Sequence, residues 1–349
     1  GLRVSAQRSG TLTDLVFQFH HSSCDAVGAL RFIEDLLVIY AALVDTDAQP
    51  AGVRSIDERR LPERGQFGLT RRKLLGMLHK QSVGLLGARQ FLMRTPVPVQ
   101  PIAIESAGAA LPSDFPAAQA HIFSEMETAA LLAAARDAGT TVNNLLVRDL
   151  FLALGDFRLR RQLSDDHQWL RLSIPVNLRS QDDERLSAAN VVSMIFLDRR
   201  PFEFGNELAL LKGIDHEMRR IKKNQLGLTF PLSLRFTRSL PGSISRMRRM
   251  SKKEICRGTA VLSNLVRPFI DAPLHRCDGK INAGGMILER IEFLPPVRPY
   301  TLAAFGALTY ADRLHLALHF DQRGLATTEA TELLKDFIGH ISATARRDH

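Results

Sequence analysis

The feature that most constrains this chain is an apolar run that ends abruptly in a polar cluster. Thr11 to Phe19 reads TLTDLVFQF, and His20, His21, Ser22, Ser23, Cys24, Asp25 and Ala26 follow it directly. Leu12, Leu15, Phe17 and Phe19, with Val16 between them, suit a buried strand. The apolar stretch from Leu30 to Val44 carries Arg31, Glu34 and Asp35, which suits a partly buried helix and not a membrane span. Ser22 or Ser23 is placed to cap that helix. The unit is therefore strand, turn, helix, with its polar residues gathered at the junction.

A histidine at such a junction suits proton transfer, because an imidazole with an ordinary pKa of about 6.5 accepts a proton near neutrality. Neighbouring strand residues point to opposite faces, so His20 and His21 are not expected to share one task. Asp25 lies one helical turn beyond His21. It can orient the imidazole directly, or pair with a distant arginine and pin the turn. Three plainer readings compete: a buried histidine pair beside a helix cap; a metal site of His20, His21 and Asp25, against which the strand alternation works; and Cys24 as a nucleophile, although a small buried cysteine is commonly just core.

The remaining chain alternates strands and helices without a regular βαβ repeat, which favours a mixed-sheet α/β architecture over a doubly wound one. Strands are expected at Ala118 to Ser124, Trp169 to Val176, Val191 to Leu197, Thr259 to Leu265, Gly285 to Phe293, Leu302 to Tyr310 and Arg313 to Phe320. Helices are expected at Glu125 to Ala138, Thr140 to Leu154 with a Thr140 or Thr141 cap, Phe204 to Asn224 and Thr327 to Thr344. With 349 residues, two packed domains are the natural expectation.

Charge is unevenly spread. The chain carries a net +9, and between Ala51 and Gln100 ten basic residues face three acids, a local surplus of seven. Leu74 to Met93 within that segment suits a basic amphipathic helix. A second basic cluster holds Arg246, Arg248, Arg249, Lys252, Lys253 and Arg257, offset only by Glu254. Such surface attracts an anionic membrane, a phosphate-bearing carrier or nucleic acid, or is simply solvated. With three Tyr, one Trp and no recognition motif, nucleic acid is not expected as a partner. Three widely spaced cysteines, Cys24, Cys256 and Cys277, argue against a disulfide framework and against a zinc site. That cysteine usage makes a reducing cytoplasm the expected setting, with peripheral membrane association as a variant, and the opening residues do not read as a secretory signal.

HHSSCDA resembles the HHxxxDG signature of the CoA-dependent acyltransferase and condensation-domain superfamily, which includes chloramphenicol acetyltransferase. Later segments follow in the same order: TTVNNLLVRDLFLAL from Thr140, LRLSIPVNLRS from Leu170 and AANVVSMIFLD from Ala188 resemble its wax ester synthase and diacylglycerol acyltransferase branch, AVLSNLVRP from Ala260 resembles the superfamily's Ser/Thr-Asn segment, and LALHFDQRGL from Leu316 resembles its last strand and turn. Ala26 stands where the signature has Gly, and Asn144 where that branch has Asp.

The resemblance implies an α/β fold of two chloramphenicol-acetyltransferase-like subdomains with mixed sheets, the N-terminal one incomplete because little chain precedes the signature. Residues 1–48 would be the remnant carrying the motif, 49–116 a basic proline-rich linker and 117–349 the C-terminal subdomain. It also implies transfer of an acyl group, other than an aminoacyl group, from a CoA or carrier-protein thioester to a hydroxyl or amine. His21 would be the catalytic base, Asp25 a structural residue with Arg179 as its partner, and His20 and Asn264 tunnel or oxyanion contacts. The acyl-CoA or phosphopantetheine-linked donor would be a co-substrate, with no tightly bound cofactor and no metal. An acyl carrier protein or an anionic membrane surface would be the partner. The alternative is a non-catalytic condensation-like protein that binds a carrier protein or a lipid.

Overall fold

The computed structural model describes residues 1–44, 89–102, 117–179, 189–239, 255–298 and 300–346, with isolated positions between them. The basic segment from 51 to 100 and the cluster from 246 to 253 lie largely outside the described residues, and so does most of the expected helix from 74 to 93. The chain forms two compact units, each discontinuous in sequence. The smaller comprises Gly1–Lys73, Asn177–Val192 and Arg267–Arg290; the larger comprises Leu74–Val176, Ser193–Val266 and Ile291–His349.

In the smaller unit, β1 (Leu2–Ser9) and β2 (Leu12–Phe19) form an antiparallel hairpin in which Leu2 faces Phe19 and Ser9 faces Leu12. Helix α1 (Ala26–Val44) follows the polar turn. Its apolar content buries Leu37 and Val38, and Phe32 meets Phe19 edge-on at 5.7 Å. Strand β2 forms as its sequence requires, but it is not buried: Leu12 is 58% exposed and Val16 56%. Among the described residues its one strand partner is β1, and a two-stranded ribbon has no second layer of its own to bury a face.

The larger unit is built on a six-stranded mixed sheet, ordered β3-β11-β10-β6-β4-β5. Its strands are β3 (Ala117–Ile122), β4 (Leu170–Asn177), β5 (Val192–Arg199), β6 (Ala260–Asn264), β10 (Ala303–Tyr310) and β11 (Arg313–Phe320). The pairs β3–β11 and β10–β11 are antiparallel, whereas β6 runs parallel to both β10 and β4. Helices α2 (Glu125–Asp137), α3 (Val142–Arg160) and α6 (Thr327–Arg346) pack on the sheet, and α4 (Glu207–Lys223) packs on α3. Their apolar faces meet the sheet in one core containing Leu146, Leu150, Phe151, Phe157, Phe305, Phe320 and Phe337. Ser124 and Glu127 form a reciprocal capping box at the start of α2, and the Thr141 side chain caps α3.

Two local readings change. Gly285 to Phe293 is not one strand: only Met286–Ile287 (β9) pairs, with Lys280–Ala283 (β8), which in turn pairs with His275–Cys277 (β7) in a small sheet. The run crosses from one compact unit to the other after Arg290. Farther along, the Phe293 carbonyl passes so close to β10 that a Cβ on Gly306 would sit 2.1 Å from it, and only glycine fits there. A helix that periodicity did not signal, α5 (Thr229–Ser239), follows α4. No described helix is long and apolar enough to cross a membrane.

Candidate active site

The β2–α1 turn is organised by one carboxylate. Strand β2 ends at Phe19, so His20 and His21 lie in the turn beyond it, and the strand alternation used above does not govern them. The serines do not cap the helix either. Asp25 does: its Oδ1 accepts the Gly28 N–H at 2.9 Å, and its carbonyl accepts the Ala29 N–H at 2.9 Å. Ser23 instead donates its hydroxyl to the His20 carbonyl at 2.6 Å, tightening the turn.

The same carboxylate ties this turn to the segment between β4 and β5. Arg179 Nη2 lies 2.8 Å from Asp25 Oδ1, and Arg179 Nη1 donates to Oδ2 at 2.9 Å. The Val191 N–H also donates to Oδ2, at 2.7 Å. Both side chains are buried, at 4% and 2% exposure. A carboxylate offers about four acceptor sites. Gly28, Val191 and the two guanidinium nitrogens fill them, so Asp25 has no capacity left for an imidazole. Of the two roles open to it in sequence, it has the pinning one. Arg179 is completed by the Ala189 carbonyl, 2.7 Å from Nη2, while its buried Nε has no hydrogen-bond partner among the described residues.

Both histidines are exposed. The Ser22 N–H donates to His20 Nδ1 at 3.3 Å and the Ser22 hydroxyl is 2.7 Å from the same nitrogen. A backbone N–H can only donate, so this contact suits the neutral ring with its proton on Nε2. The His21 imidazole has no hydrogen-bond partner among the described residues, but its backbone is held: its carbonyl accepts from Asn190 Nδ2 at 2.7 Å. Asn190 and Val191 were not singled out in the sequence. The only signal for them was the AANVVSMIFLD resemblance, which does not say which positions in the block reach the turn.

Cys24 is 2% exposed, and its thiol is 3.3 Å from the Asp25 carbonyl oxygen. Burial, and secondarily the Asp25 charge, push the thiol up to about 11 from its ordinary value of 9.0, against the opposing influence of Arg179. A thiol so placed is not ionised near neutrality and is no nucleophile. No group of three or more His, Cys, Asp or Glu among the described residues is arranged to hold a metal ion.

Asn264 ends β6 in the larger unit, where its Oδ1 accepts the Val266 N–H at 2.8 Å. That leaves its amide hydrogens as donors. Asn144, the other departure from the resembled pattern, is buried at the start of α3. Its Nδ2 donates to Thr140 Oγ1 and to Asp215 Oδ1, both at 3.1 Å. An amide matches that neighbour; a carboxylate would oppose Asp215.

No protein-family model matches the chain, and no curated protein sequence matches it. Solved structures do. The first condensation domain of the CDA synthetase superposes with a TM-score of 0.61 at 16% identity, covering 99% of this chain and 66% of that one. This chain has the fold of a condensation domain. The SgcC5 protein of Streptomyces globisporus gives a TM-score of 0.64 at 13% identity, over 99% of this chain and 72% of that one. A trichothecene 15-O-acetyltransferase from Fusarium sporotrichioides gives 0.60 at 13% identity, over 95% and 66%. The mixed-sheet α/β class is thus shared with condensation domains and with an acetyltransferase. The chain spans about two thirds of the length of the first of these structures.

Proposed function

We propose that the chain belongs to the CoA-dependent acyltransferase and condensation-domain superfamily, on its wax ester synthase side. On this reading it moves an acyl group from a CoA or carrier-protein thioester to a hydroxyl or amine. The observation that carries the proposal is the turn itself. A buried Asp25–Arg179 pair, with the Asp25 oxygens filled, holds the backbone of HHSSCDA, while His21 is exposed with its imidazole unengaged. That division suits a rigid support and a mobile proton acceptor.

His21 takes the proton from the acceptor hydroxyl or amine as the acceptor attacks the thioester carbonyl. The tetrahedral oxyanion collapses, the carbon–sulfur bond breaks, and the imidazolium returns its proton to the departing thiolate. Backbone amides of the turn are the proposed oxyanion donors, and His20 a tunnel contact. Loss of one such donor typically costs about 3–4 kcal/mol of barrier. The decisive measurement is thiol release from a panel of acyl-CoA and acyl-carrier thioesters. His21→Ala should lower the rate by about 10²- to 10⁴-fold, the usual contribution of a general base, with an unchanged circular dichroism spectrum. His20→Ala should be milder. Equal rates for His21→Ala and the parent would remove the catalytic reading.

The basic segment from Ala51 to Gln100 supports a peripheral partner, either an anionic membrane or an acidic carrier protein. Vesicle flotation with and without anionic lipid, beside carrier-protein binding at low salt, separates the two.

A further inference from the structure

The larger unit carries a cleft of about 510 Å³, within the range of small-molecule sites. It lies between the residues that precede and end strands β4 and β5 and one face of α4. Trp169, just before β4, forms one wall. The guanidinium carbons of Arg94 and Arg200 lie 4.1 Å and 4.0 Å from its ring centroid. Arg220 of α4 lines the opposite part of the cleft with His216.

The charges do not cancel. Beneath the cleft, Arg171 is 1% exposed and holds Asp198 through two bonds, Nε to Oδ1 at 2.6 Å and Nη2 to Oδ2 at 2.9 Å. Arg199 pairs with Glu217 at 2.9 Å, and Glu203 accepts the Arg200 backbone N–H at 2.6 Å. Arg94, Arg199, Arg200 and Arg220 line the cleft with three carboxylates, a surplus of one positive charge, and Arg94, 3.6 Å from Asp198, shares it with the buried Arg171. Among the described residues, the side chains of Arg200 and Arg220 have no carboxylate partner. Stacking on an indole fixes a guanidinium without using its N–H donors, and that planar fork matches phosphate oxygens.

We propose that this cleft binds a small phosphate-bearing anion, with Arg94, Arg200 and Arg220 as the phosphate contacts. Binding at this cleft does not rest on the acyl-transfer reading. The size and charge fit a diphosphate group, alone or carried by a nucleoside.

Trp169 is the chain's one tryptophan, so its emission reports on this cleft alone. The full chain is titrated with sodium pyrophosphate and, separately, with ADP, at ionic strength held constant with sodium chloride. A saturable change in emission is expected, with the apparent Kd raised tenfold or more in Arg200→Gln/Arg220→Gln. Arg220→Gln alone, on an exposed helix position, should raise it several-fold and keeps the test readable if the Arg200 change disturbs its turn. ADP binding at least tenfold tighter than pyrophosphate would identify a nucleotide as the ligand; equal affinities would identify the diphosphate alone. Three results would overturn the proposal: no saturable signal and no heat of binding with either probe, affinity unchanged in both arginine variants, or a response reproduced by chloride at equal ionic strength.

Discussion

Arg179 grips Asp25 through both carboxylate oxygens, Nη2 to Oδ1 at 2.8 Å and Nη1 to Oδ2 at 2.9 Å, across 154 positions of sequence. The contact joins the start of α1 to the segment between β4 and β5. Because both groups are out of water, breaking the pair exposes the full cost of a stranded charge. Asp25→Asn should destabilise the smaller unit by about 3–5 kcal/mol, seen as a lower urea midpoint. Asp25→Leu/Arg179→Met, which removes both charges, should recover much of that loss. A double variant no better than Asp25→Asn would show that the carboxylate acts through the Gly28 and Val191 amides and not through Arg179.

Cys24 should behave as core. With its thiol pushed up to about 11 by burial and by Asp25, it should resist iodoacetamide at pH 7.5, whereas the exposed Cys277 is alkylated. Peptide mass spectrometry over a time course reads both sites at once. Cys24→Ala should retain thiol-release activity; loss of activity without loss of fold would reopen the nucleophile reading.

The Asn144–Asp215 contact gives a charge-swap test. Asn144→Asp places a second carboxylate against Asp215 and removes a donor, at a cost of about 1–3 kcal/mol. Asp215 also pairs with Arg219 at 2.7 Å, which limits the loss. Adding Asp215→Asn should restore stability, since the swapped pair keeps one amide and one carboxylate. Thermal melts of the two singles and the double decide it through their coupling.

His319 gives the fold an acid limb. Burial holds its imidazole below the ordinary 6.5, partly opposed by the Pro295 carbonyl and by Asp321. The unfolded chain therefore takes up this proton at a higher pH than the folded chain does. Stability from His319 is complete above about pH 6.5 and is lost as pH falls through the lower folded value. Because Nδ1 lies 2.7 Å from the Pro295 carbonyl oxygen, which can only accept, the buried ring carries its proton there. His319→Asn keeps a donor for that carbonyl and removes the titration. Its melting temperature should vary less than the parent's between pH 7 and pH 5; an identical slope would assign the acid limb to other groups.

Much of the fold was legible in sequence because periodicity reports local burial. The strands at β4, β6, β10 and β11 and the helices α2, α4 and α6 sit within a few residues of where their patterns put them. Misreadings fell where local signals compete. Serine and aspartate cap helices about equally well, and Asp25 is the residue whose position lets it accept the Gly28 N–H. The apolar residues of β2 read as buried, but burial depends on what lies across from a strand, which no local pattern encodes.

By itself the sequence determined the strand–turn–helix unit, the histidines at its junction and the excess of positive charge, all properties of neighbouring residues and their chemistry. Tertiary structure alone decided what the polar side chains do. Asp25 was free, in sequence, to serve an imidazole or an arginine; the folded turn fills its oxygens with Gly28, Val191 and Arg179 and leaves none for His21. Arg94, Trp169, Arg200 and Arg220 carry no motif, and only the packing of β4, β5 and α4 gathers them into one cleft. The physical reason is common to both: a hydrogen bond or ion pair depends on separations of about 3 Å, and for residues far apart in the chain only the folded path sets that distance.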